Sequence, residues 1–304
     1  MIKSGSFLII KDGKLLFERY WEPITSKTQT NFFSVTKSIV GSLVGIAIHD
    51  GVFKNLDEPA FHYFTPFDKL GFRKITIWHL LSMSSGLKWR ELGGPLSHNA
   101  KAYYGENLLS QMAGLKQRSE PGIYFDYISC NTQILSFIIK KATGMTVSGY
   151  AEEKLWSLVR AENPAFWSLD SESGREKGFC CFYSTPRDLA RLGQLYLNGG
   201  HWNDIDILSR GFVKEVVSRT SLKDKKLNCP NIRYGLHWWL GSFRDLPFYY
   251  ARGIFGQYII CVPRLNTVIV RTGYRRRKVD KTGHPPDLFE YIDIVNALLK
   301  KESL

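Results

Sequence analysis

The sequence has no apolar run long enough to cross a membrane as a helix. Its longest uninterrupted apolar stretches, such as Phe7 to Ile10 and Ile259 to Val262, have the length of a strand, whereas a membrane-spanning helix needs about 20 residues. The first five residues also lack the basic segment and apolar core of a signal peptide. We therefore expect no membrane span and a cytoplasmic location for the chain as written. A periplasmic or secreted location stays open if the start is truncated.

Cysteine is scarce, and its spacing suits neither a disulfide framework nor a zinc site. There are 5 cysteines, an odd number; Cys180 and Cys181 are neighbours, and the rest are scattered without CxxC spacing. We expect free thiols. HExxH, glycine-rich phosphate loops and the GxSxG elbow are also missing. The sequence therefore indicates no cofactor and no metal site.

Lysine and arginine outnumber aspartate and glutamate, so the formal net charge of the 304 residues is +13. The densest basic cluster runs from Arg275 to Lys278, but the other basic residues are spread along the chain. No RNP-like, zinc-finger or helix-turn-helix pattern accompanies them, so a solvated basic face is favoured over nucleic-acid binding. A hydrophobic content of 44% describes an ordinary globular chain, and its length favours two domains.

Turn and periodicity signals place strands at both ends of the chain and helices in the middle. Asp12-Gly13 between two β-rich runs predicts a hairpin, and apolar residues at helical spacing predict a buried helix from Ser34 to His49. Residues 56–160 are predicted to be mainly helical. Strands return near the end, and a last helix follows; the predicted strands are Tyr234 to Leu240, Phe248 to Arg252, Gln257 to Val262 and Thr267 to Thr272.

This arrangement predicts an α/β (α+β) fold in which both ends of the chain build one antiparallel sheet flanked by helices, with a mainly helical insertion. We expect a discontinuous sheet domain of residues 1–55 and 166–304 and a helical domain of residues 56–165. The active site is expected between them.

Ser34 and Lys37 lie three residues apart at the start of the predicted helix. Positions i and i+3 share one helical face, with Cβ atoms about 5–6 Å apart, so the two side chains can touch. A serine hydroxyl needs a base to become nucleophilic, and burial favours the neutral lysine that can act as one. The N-terminal end of a helix also stabilises an oxyanion. Taken alone, the pair equally fits an ordinary polar first turn.

Four more segments follow in a characteristic order. With the first block they are Phe33 to Ser38, Leu80 to Leu87, Phe125 to Asn131, Ser184 to Gly193 and Ala251 to Tyr258. Over nearly its whole length the chain thus resembles the serine-reactive penicillin-recognising superfamily of class C β-lactamases and DD-peptidases, and particularly its family VIII esterase and 6-aminohexanoate-dimer hydrolase branch. The resemblance implies a β-lactamase/transpeptidase-like fold.

The resemblance implies a role for each matching residue. Ser34 corresponds to the acylated nucleophile, Lys37 to the amine that shares its proton, and Tyr127 to the second base and acid. Since a tyrosine of ordinary pKa is a weak base at neutral pH, Lys37 is expected to stabilise its phenolate, the two titrating as a pair. Ser129 stands where most relatives have Asn, and Asn131 is a candidate substitute that could equally cap the next helix.

The family's third element is a KTG or HxG sequence on the strand beside the site. Ala251-Arg252-Gly253 occupies that place, whereas Lys281-Thr282-Gly283 precedes prolines that cannot continue a ladder, so we interpret it as a chance match. Gly253 permits close backbone approach, and the N–H groups of Ser34 and Ile254 are expected to form the oxyanion hole. Arg252 could replace the missing charge or point to solvent.

Aromatic residues near these motifs are candidates for binding the acyl group: Trp89, Tyr103, Tyr104 and Trp239. His79 fits a packed core position, and His237 could line the pocket or only pack. The sequence thus predicts a serine hydrolase that cleaves a small amide or ester, and hydrolysis of linear substrates is favoured over penicillin turnover because the Lys-containing third motif is absent. The alternatives are a catalytically silent penicillin-binding-like module and a basic surface-binding or nucleic-acid-binding protein. The oligomeric state is not indicated.

Overall fold

The computed structural model describes residues 2–302, with side chains to residue 300, as a mixed α/β structure. Its main sheet has six strands, in the antiparallel order β11-β12-β13-β14-β1-β2, and three small sheets have the orders β10-β9-β4, β3-β6-β5 and β7-β8. The strands are β1 (Lys3–Lys11), β2 (Lys14–Tyr20), β3 (Thr30–Asn31), β4 (Tyr124–Phe125), β5 (Phe166–Trp167), β6 (Phe182–Ser184), β7 (His201–Trp202), β8 (Ile205–Asp206), β9 (Lys223–Asp224), β10 (Cys229–Pro230), β11 (Trp239–Phe243), β12 (Leu246–Gly253), β13 (Gln257–Val262) and β14 (Thr267–Arg275).

Most of the regular structure in the middle of the chain is helical, and other helices cover the sheet. The α-helices of the described residues are α1 (Thr36–His49), α2 (Pro66–Lys69), α3 (Ile77–Leu81), α4 (His98–Tyr104), α5 (Leu108–Ala113), α6 (Ser129–Thr143), α7 (Val147–Ala151), α8 (Pro186–Leu197), α9 (Arg210–Val216) and α10 (Asp287–Glu302). A π-helical turn, Glu152–Trp156, continues α7. None of the helices in the described part of the chain has the length and apolar content needed to span a bilayer.

The two ends of the chain meet in the main sheet, as predicted. β1 pairs with β14, and the hairpin from β1 to β2 turns at Asp12 and Gly13. Both turn residues have positive φ, 52° and 74°, which is the conformation of a type I′ turn. The antiparallel sheet with helices on its faces is therefore confirmed, whereas the two proposed domain boundaries stay predictions.

Core packing follows from the alternation of side chains along the strands. On β1, Leu8 and Ile10 belong to a core that includes α1 and α8, whereas Ile9 faces a second core that includes α10. α1 is buried from Thr36 through Ala47, which confirms the prediction of a buried helix. The chain thus places α1, and the polar residues at its start, in the centre of the molecule.

One predicted strand is wrong. The segment Tyr234 to Leu240 is mostly a turn, and β11 begins only at Trp239. Gly235 N–H donates to the carbonyl of Trp238, and His237 has a φ of 61°, so the chain reverses here. Tyr234 and Trp238 are buried by packing and lie outside the strands, whereas Trp239 begins β11 and pairs with Tyr250.

The expectation of free thiols is also wrong for one pair. Cys180 and Cys181 form a disulfide between adjacent residues, directly before β6. Cys130, Cys229 and Cys261 are free. An odd number of cysteines excludes complete pairing but does not exclude a single bridge, and sequence spacing could not show that these two sulfur atoms meet.

Candidate active site

Ser34 lies in a 3₁₀ turn, Phe33–Val35, that leads directly into α1. The preceding residue, Phe33, has a φ of 48°, in the sparsely populated left-handed region where residues at functional sites are often held. The Phe33 N–H donates to Asn31 Oδ1 at 2.7 Å, which supports this conformation. The turn leaves Ser34 half-buried on the wall of a cavity.

Lys37 extends from the first turn of α1 to Ser34. Its Nζ lies 3.2 Å from Ser34 Oγ and donates to the carbonyl of Phe179 at 2.7 Å. The side chain is only 1% exposed. Burial lowers the pKa of Lys37 to about 8, although the negative charge of Glu91 opposes this effect. At neutral pH a useful fraction of Lys37 is therefore unprotonated and able to accept the proton of Ser34.

Tyr127 reaches the same point from the loop between β4 and α6. Lys37 Nζ lies 5.2 Å from the centre of its ring. Burial raises the pKa of Tyr127 above its usual 10, and the charge of Glu91 raises it further; a hydrogen bond with Ser34 and the charge of Arg252 offset part of this rise. The phenol is therefore protonated at neutral pH, which is opposite to the expectation of a stabilised phenolate.

Glu91 is the site residue that sequence reasoning missed. Its carboxylate accepts hydrogen bonds from Ser129 Oγ at 2.6 Å, Ser129 N–H at 2.8 Å and Trp89 Nε1 at 2.9 Å. Because Ser129 has a single hydroxyl proton, this bond occupies it. Glu91 precedes Ser129 by 38 residues and lies in no motif that we used, so the sequence held no signal for the contact.

The opposite wall of the site is the end of β12 and the short turn after it. A Cβ atom at Gly253 would lie 2.4 Å from the carbonyl oxygen of Phe32, so only glycine allows the strand to approach the nucleophile turn this closely. Ile254 follows, and both Ser34 and Ile254 line the cavity. This places two segments with backbone N–H groups beside one space, as the expected oxyanion hole requires.

Arg271 binds the carbonyl groups of this turn. It is fully buried on β14, and its Nη1 donates to the carbonyls of Phe255 and Gly256 at 2.7 and 2.8 Å. Its Nη2 donates to the carbonyls of Lys3 and Arg275. Arg271 thus holds the turn after Gly253 to the main sheet, a role that its position in a strand sequence did not indicate.

The candidate site is a cavity of about 520 Å³ between the nucleophile turn, the Tyr127 loop and the end of β12. The predicted residues found on its wall are Ser34, Trp89, Tyr103, Tyr127, Ser129, Trp239, Gly253 and Ile254. Lys37 lies behind Ser34, in contact with it. The structure therefore brings the proposed nucleophile, amine and phenol together from two distant parts of the chain.

Two predicted substrate contacts lie elsewhere. Asn131 is fully buried in α6, where its Oδ1 accepts from Ser85 Oγ at 2.6 Å and its Nδ2 faces Met83 Sδ. It therefore packs α6 against the neighbouring segment and does not line the cavity. Tyr104 is 83% exposed and also lies outside the cavity lining.

The histidines and the second KTG-like sequence have structural positions. His79 Nδ1 accepts from the Thr76 N–H in the capping box of α3. His237 is buried between Leu81 O and Thr132 Oγ1, and burial lowers its pKa to about 3. Lys281-Thr282-Gly283 lies in a turn outside the sheet. In the described residues no three His, Cys, Asp or Glu side chains form a group that could hold a metal ion.

Comparisons with known proteins show the family of the chain. The family model for beta-lactamase matches residues 2–281. A 6-aminohexanoate-dimer hydrolase of Paenarthrobacter ureafaciens is 26% identical over 289 residues, covering 88% of this chain and 72% of that protein.

Solved structures show the same fold. A Bacillus anthracis protein assigned provisionally as a 6-aminohexanoate-dimer hydrolase superposes with a TM-score of 0.84 at 22% identity, covering 98% of this chain and 80% of the other. A class C beta-lactamase of Rhodobacter sphaeroides gives a TM-score of 0.71 at 14% identity, with coverages of 98% and 95%. The chain belongs to the beta-lactamase family, a family of serine hydrolases with the beta-lactamase fold.

Proposed function

We propose that the protein hydrolyses an amide or ester through an acyl-enzyme formed on Ser34. The observation that carries this proposal is the contact between Ser34 and Lys37. The Oγ and Nζ atoms are 3.2 Å apart, and burial lowers the pKa of the amine to about 8. This combination provides a nucleophile with a base at hydrogen-bonding distance.

In the first half of the reaction, Ser34 Oγ attacks the substrate carbonyl carbon and its proton passes to neutral Lys37. The carbonyl oxygen becomes an oxyanion, to which the N–H groups of Ser34 and Ile254 donate hydrogen bonds. The leaving oxygen or nitrogen then takes a proton, and the bond to carbon breaks. Tyr127, a protonated phenol beside Ser34, is placed to donate that proton and to recover one from Lys37.

In the second half, water attacks the acyl carbon and gives its proton to the same pair of residues. The acid product leaves, and Ser34 recovers its hydroxyl proton. Each half of the reaction leaves Lys37 neutral and Tyr127 protonated, so the site returns to its starting protonation state.

Linear amides and esters are the favoured substrates. The strand position where β-lactam-recognising relatives carry Lys or His has Ala251 instead, followed by Arg252 and Gly253. The related hydrolase of Paenarthrobacter ureafaciens is described as acting on the 6-aminohexanoate dimer, a linear amide. Both observations favour linear substrates over penicillins.

The test is covalent labelling of Ser34. We expect a fluorophosphonate probe to add one mass increment to the protein, measured by intact-mass spectrometry, and the Ser34→Ala variant to add none. Ser38→Ala is the matched control, because Ser38 lies one turn further along α1 and donates to the carbonyl of His237. An adduct kept in Ser34→Ala would reject the nucleophile. No adduct in the wild-type protein, together with no turnover of p-nitrophenyl acetate, would favour a silent module.

A substrate panel then separates the reaction classes. We expect turnover of short p-nitrophenyl esters and of linear amides, and little or no turnover of nitrocefin. Rapid nitrocefin hydrolysis that is lost in Ser34→Ala would keep the mechanism but reject the preference for linear substrates.

A further inference from the structure

A disulfide between neighbouring residues lies on the wall of the active-site cavity. Cys180 and Cys181 form the bridge, and Phe179 and Cys180 line the same cavity as Ser34. A bridge between adjacent residues closes no long loop, so it gains little of the stability that a disulfide obtains by restricting the unfolded chain. The proposed mechanism also gives the bridge no role, so its place in the site calls for another explanation.

The residue before the bridge holds the proposed base. The carbonyl of Phe179 accepts a hydrogen bond from Lys37 Nζ at 2.7 Å, and the same nitrogen lies 3.2 Å from Ser34 Oγ. A neutral amine carries two hydrogens and one lone pair. Because the Phe179 carbonyl binds one of the hydrogens, rotation of the amine is restricted and its lone pair stays directed at the Ser34 hydroxyl, as proton transfer requires.

The residue after the bridge holds the nucleophile turn. The Phe182 N–H donates to Thr36 Oγ1 at 3.3 Å, and the Phe182 carbonyl accepts from the Phe32 N–H at 2.9 Å. Phe32 and Thr36 flank the 3₁₀ turn that carries Ser34. The bridge therefore lies between the contact to the base and the contacts to the nucleophile turn, and it limits how far these contacts can move relative to one another.

Cys181 has a backbone conformation that residues other than glycine rarely adopt. Its φ is 67°, in the left-handed region that is unfavourable for a residue with a Cβ atom. The bridge to Cys180 restricts the rotation that would relax this conformation, and breaking it removes the restriction next to Phe179. Trp167 Nε1 and the Ser168 N–H donate to the carbonyls of the two cysteines, so we expect the change to stay local.

We propose that the Cys180–Cys181 disulfide is a site of thiol–disulfide exchange, and that it holds the Phe179 carbonyl in place for Lys37 only when it is oxidised. The ligand of this site is a small thiol that enters the active-site cavity. This inference rests on the proposed function, because the rate that the bridge controls is that of Ser34 acylation.

The exchange is balanced in atoms and electrons. The thiol loses its proton and attacks Cys180 Sγ, the bond between the two cysteine sulfurs breaks, and Cys181 Sγ leaves as a thiolate that takes a proton. A second thiol attacks the mixed disulfide and frees Cys180 as a thiol. The protein bridge thus becomes two thiols, and the two thiols of the reductant become one disulfide.

The first measurement is reduction of the folded protein with dithiothreitol. We expect the intact mass to rise by about 2 Da, for the two hydrogen atoms gained, while the circular dichroism spectrum stays unchanged. Iodoacetamide should then modify Cys180 faster than Cys181, because Cys180 lines the cavity. A bridge that resists dithiothreitol until the protein unfolds would overturn the proposal, and so would a protein that is isolated as the dithiol and cannot be oxidised.

The second measurement is the rate of Ser34 labelling in the two redox states. Dithiothreitol is removed by gel filtration without oxygen, and a fluorophosphonate is then added. We expect the labelling rate constant to be at least about threefold lower in the reduced protein, because the base is less well oriented. Oxidation of the dithiol with diamide should restore the rate. An equal rate in both states would overturn the positioning role of the bridge.

Variants assign the effect to these two sulfur atoms. The double variant Cys180→Ser/Cys181→Ser should be labelled at the rate of the reduced wild-type protein and should no longer respond to dithiothreitol. Cys229→Ser is the matched control, because Cys229 is a free and partly exposed cysteine, and this variant should respond as the wild type does. A double variant that still responds to dithiothreitol would contradict the proposal.

A measurement on Lys37 itself separates this inference from the proposed function. The NMR resonance of the Lys37 Cε carbon, identified by its absence in Lys37→Met, should change its titration midpoint when the bridge is reduced, because the contact with the Phe179 carbonyl changes. If Ser34 is labelled in neither redox state, the proposed function fails, and a shifted midpoint still supports control of Lys37 by the bridge. A midpoint that reduction leaves unchanged would overturn that control.

Discussion

At the residue scale, the proposed mechanism and the stability of the fold both depend on one buried amine. Lys37 must be neutral to accept a proton, and its burial in α1 favours that state by making the charged form unfavourable. The same burial destabilises the folded protein whenever Lys37 is charged. Activity and stability therefore depend on one group in opposite ways, a trade-off common at active sites.

We predict that acylation of Ser34 rises with pH through about 8. The pKa of Lys37 is about 8, so the neutral fraction, and with it kcat/KM, should increase about tenfold per unit below that pH and level off above it. The measurement is the pH profile of kcat/KM for a neutral p-nitrophenyl ester. A profile that is flat between pH 6 and 9 would contradict the assignment of Lys37 as the base.

Replacing Glu91 should shift the pH profile of kcat/KM in a known direction. Its charge raises the pKa of Lys37, so we predict that Glu91→Gln moves the midpoint of the pH profile to lower pH. Glu120→Gln is the control, because Glu120 is an exposed carboxylate paired with Lys74. Only the midpoint is compared, since Glu91→Gln also changes the contact with Ser129 and can alter the plateau. A midpoint that stays fixed or rises would show that Glu91 does not act on the base.

We further predict that Lys37→Met abolishes acylation but stabilises the fold by about 2 kcal/mol at pH 7. The folded pKa of Lys37 is about 8 and its ordinary value is 10.5. Below pH 8 both the folded and unfolded states hold the proton, so the whole penalty of the buried charge is present. Between pH 8 and 10.5 only the unfolded state holds it, so wild-type stability should rise and the advantage of Lys37→Met should disappear.

Urea unfolding at pH 7 and pH 10.5 measures this difference. Lys37→Met that is less stable than wild type at both values would show that the bond to the Phe179 carbonyl outweighs the cost of the buried charge.

At the element scale, short turns held by buried contacts position the proposed catalytic groups. The turn Ile254–Gly256 connects β12 to β13, and Arg271 donates one hydrogen bond each to the carbonyls of Phe255 and Gly256. Gly256 has a φ of 88°, and a Cβ there would lie 2.0 Å from Arg271 Nη1. The position of Ile254 thus depends on a side chain from a neighbouring strand.

We predict that Arg271→Met destabilises the protein by about 3 kcal/mol or more, because it leaves buried carbonyl oxygens without donors. Ser34 acylation should fall at least tenfold even where the variant is folded, since the oxyanion N–H of Ile254 moves. Urea unfolding and labelling rates under folded conditions measure the two effects. Arg275→Met, an exposed residue on the same strand, is the control. An unchanged acylation rate in folded Arg271→Met would show that Arg271 does not position the Ile254 N–H.

Element prediction succeeded where local signals agree with packing. The hairpin at Asp12-Gly13 and the helix after Ser34 follow from turn chemistry and periodicity, which depend on neighbouring residues alone. The segment from Tyr234 failed because its aromatic residues are buried by contacts with distant elements, including the stacking of Tyr234 on Phe125. Composition cannot distinguish burial in a turn from burial in a strand.

At the scale of the whole molecule, the pairing of β1 with β14 joins the two ends of the chain. Leu8 and Ile10 of β1 belong to the same core as α1, so the candidate site depends on a sheet whose strands are separated by most of the sequence. Loss of packing on β1 should therefore affect stability and Ser34 reactivity together, as in cooperative unfolding.

We predict that Leu8→Ala, which removes a fully buried side chain of β1, destabilises the protein by about 2–5 kcal/mol. Leu15→Ala on β2 is the matched control, since Leu15 is 45% exposed and its loss should cost under about 1 kcal/mol. Thermal unfolding followed by tryptophan fluorescence and by loss of Ser34 labelling should give one midpoint for each variant. Two separate midpoints would mean that the site unfolds independently of the sheet.

The sequence by itself placed Ser34 and Lys37 within contact at the start of a buried helix and determined most of the order of the elements, because helical spacing and turn preferences act between residues close in the chain. Only the tertiary structure decided which groups surround them. The Phe179 carbonyl that binds Lys37 is 142 positions further along the chain. Glu91 accepts a hydrogen bond from Ser129, 38 positions after it. Arg252 stacks on Trp239 and donates to the carbonyl of Gly283. Burial sets the pKa of Lys37 and the charge of Glu91 modifies it; both depend on distance in space and not on position along the chain.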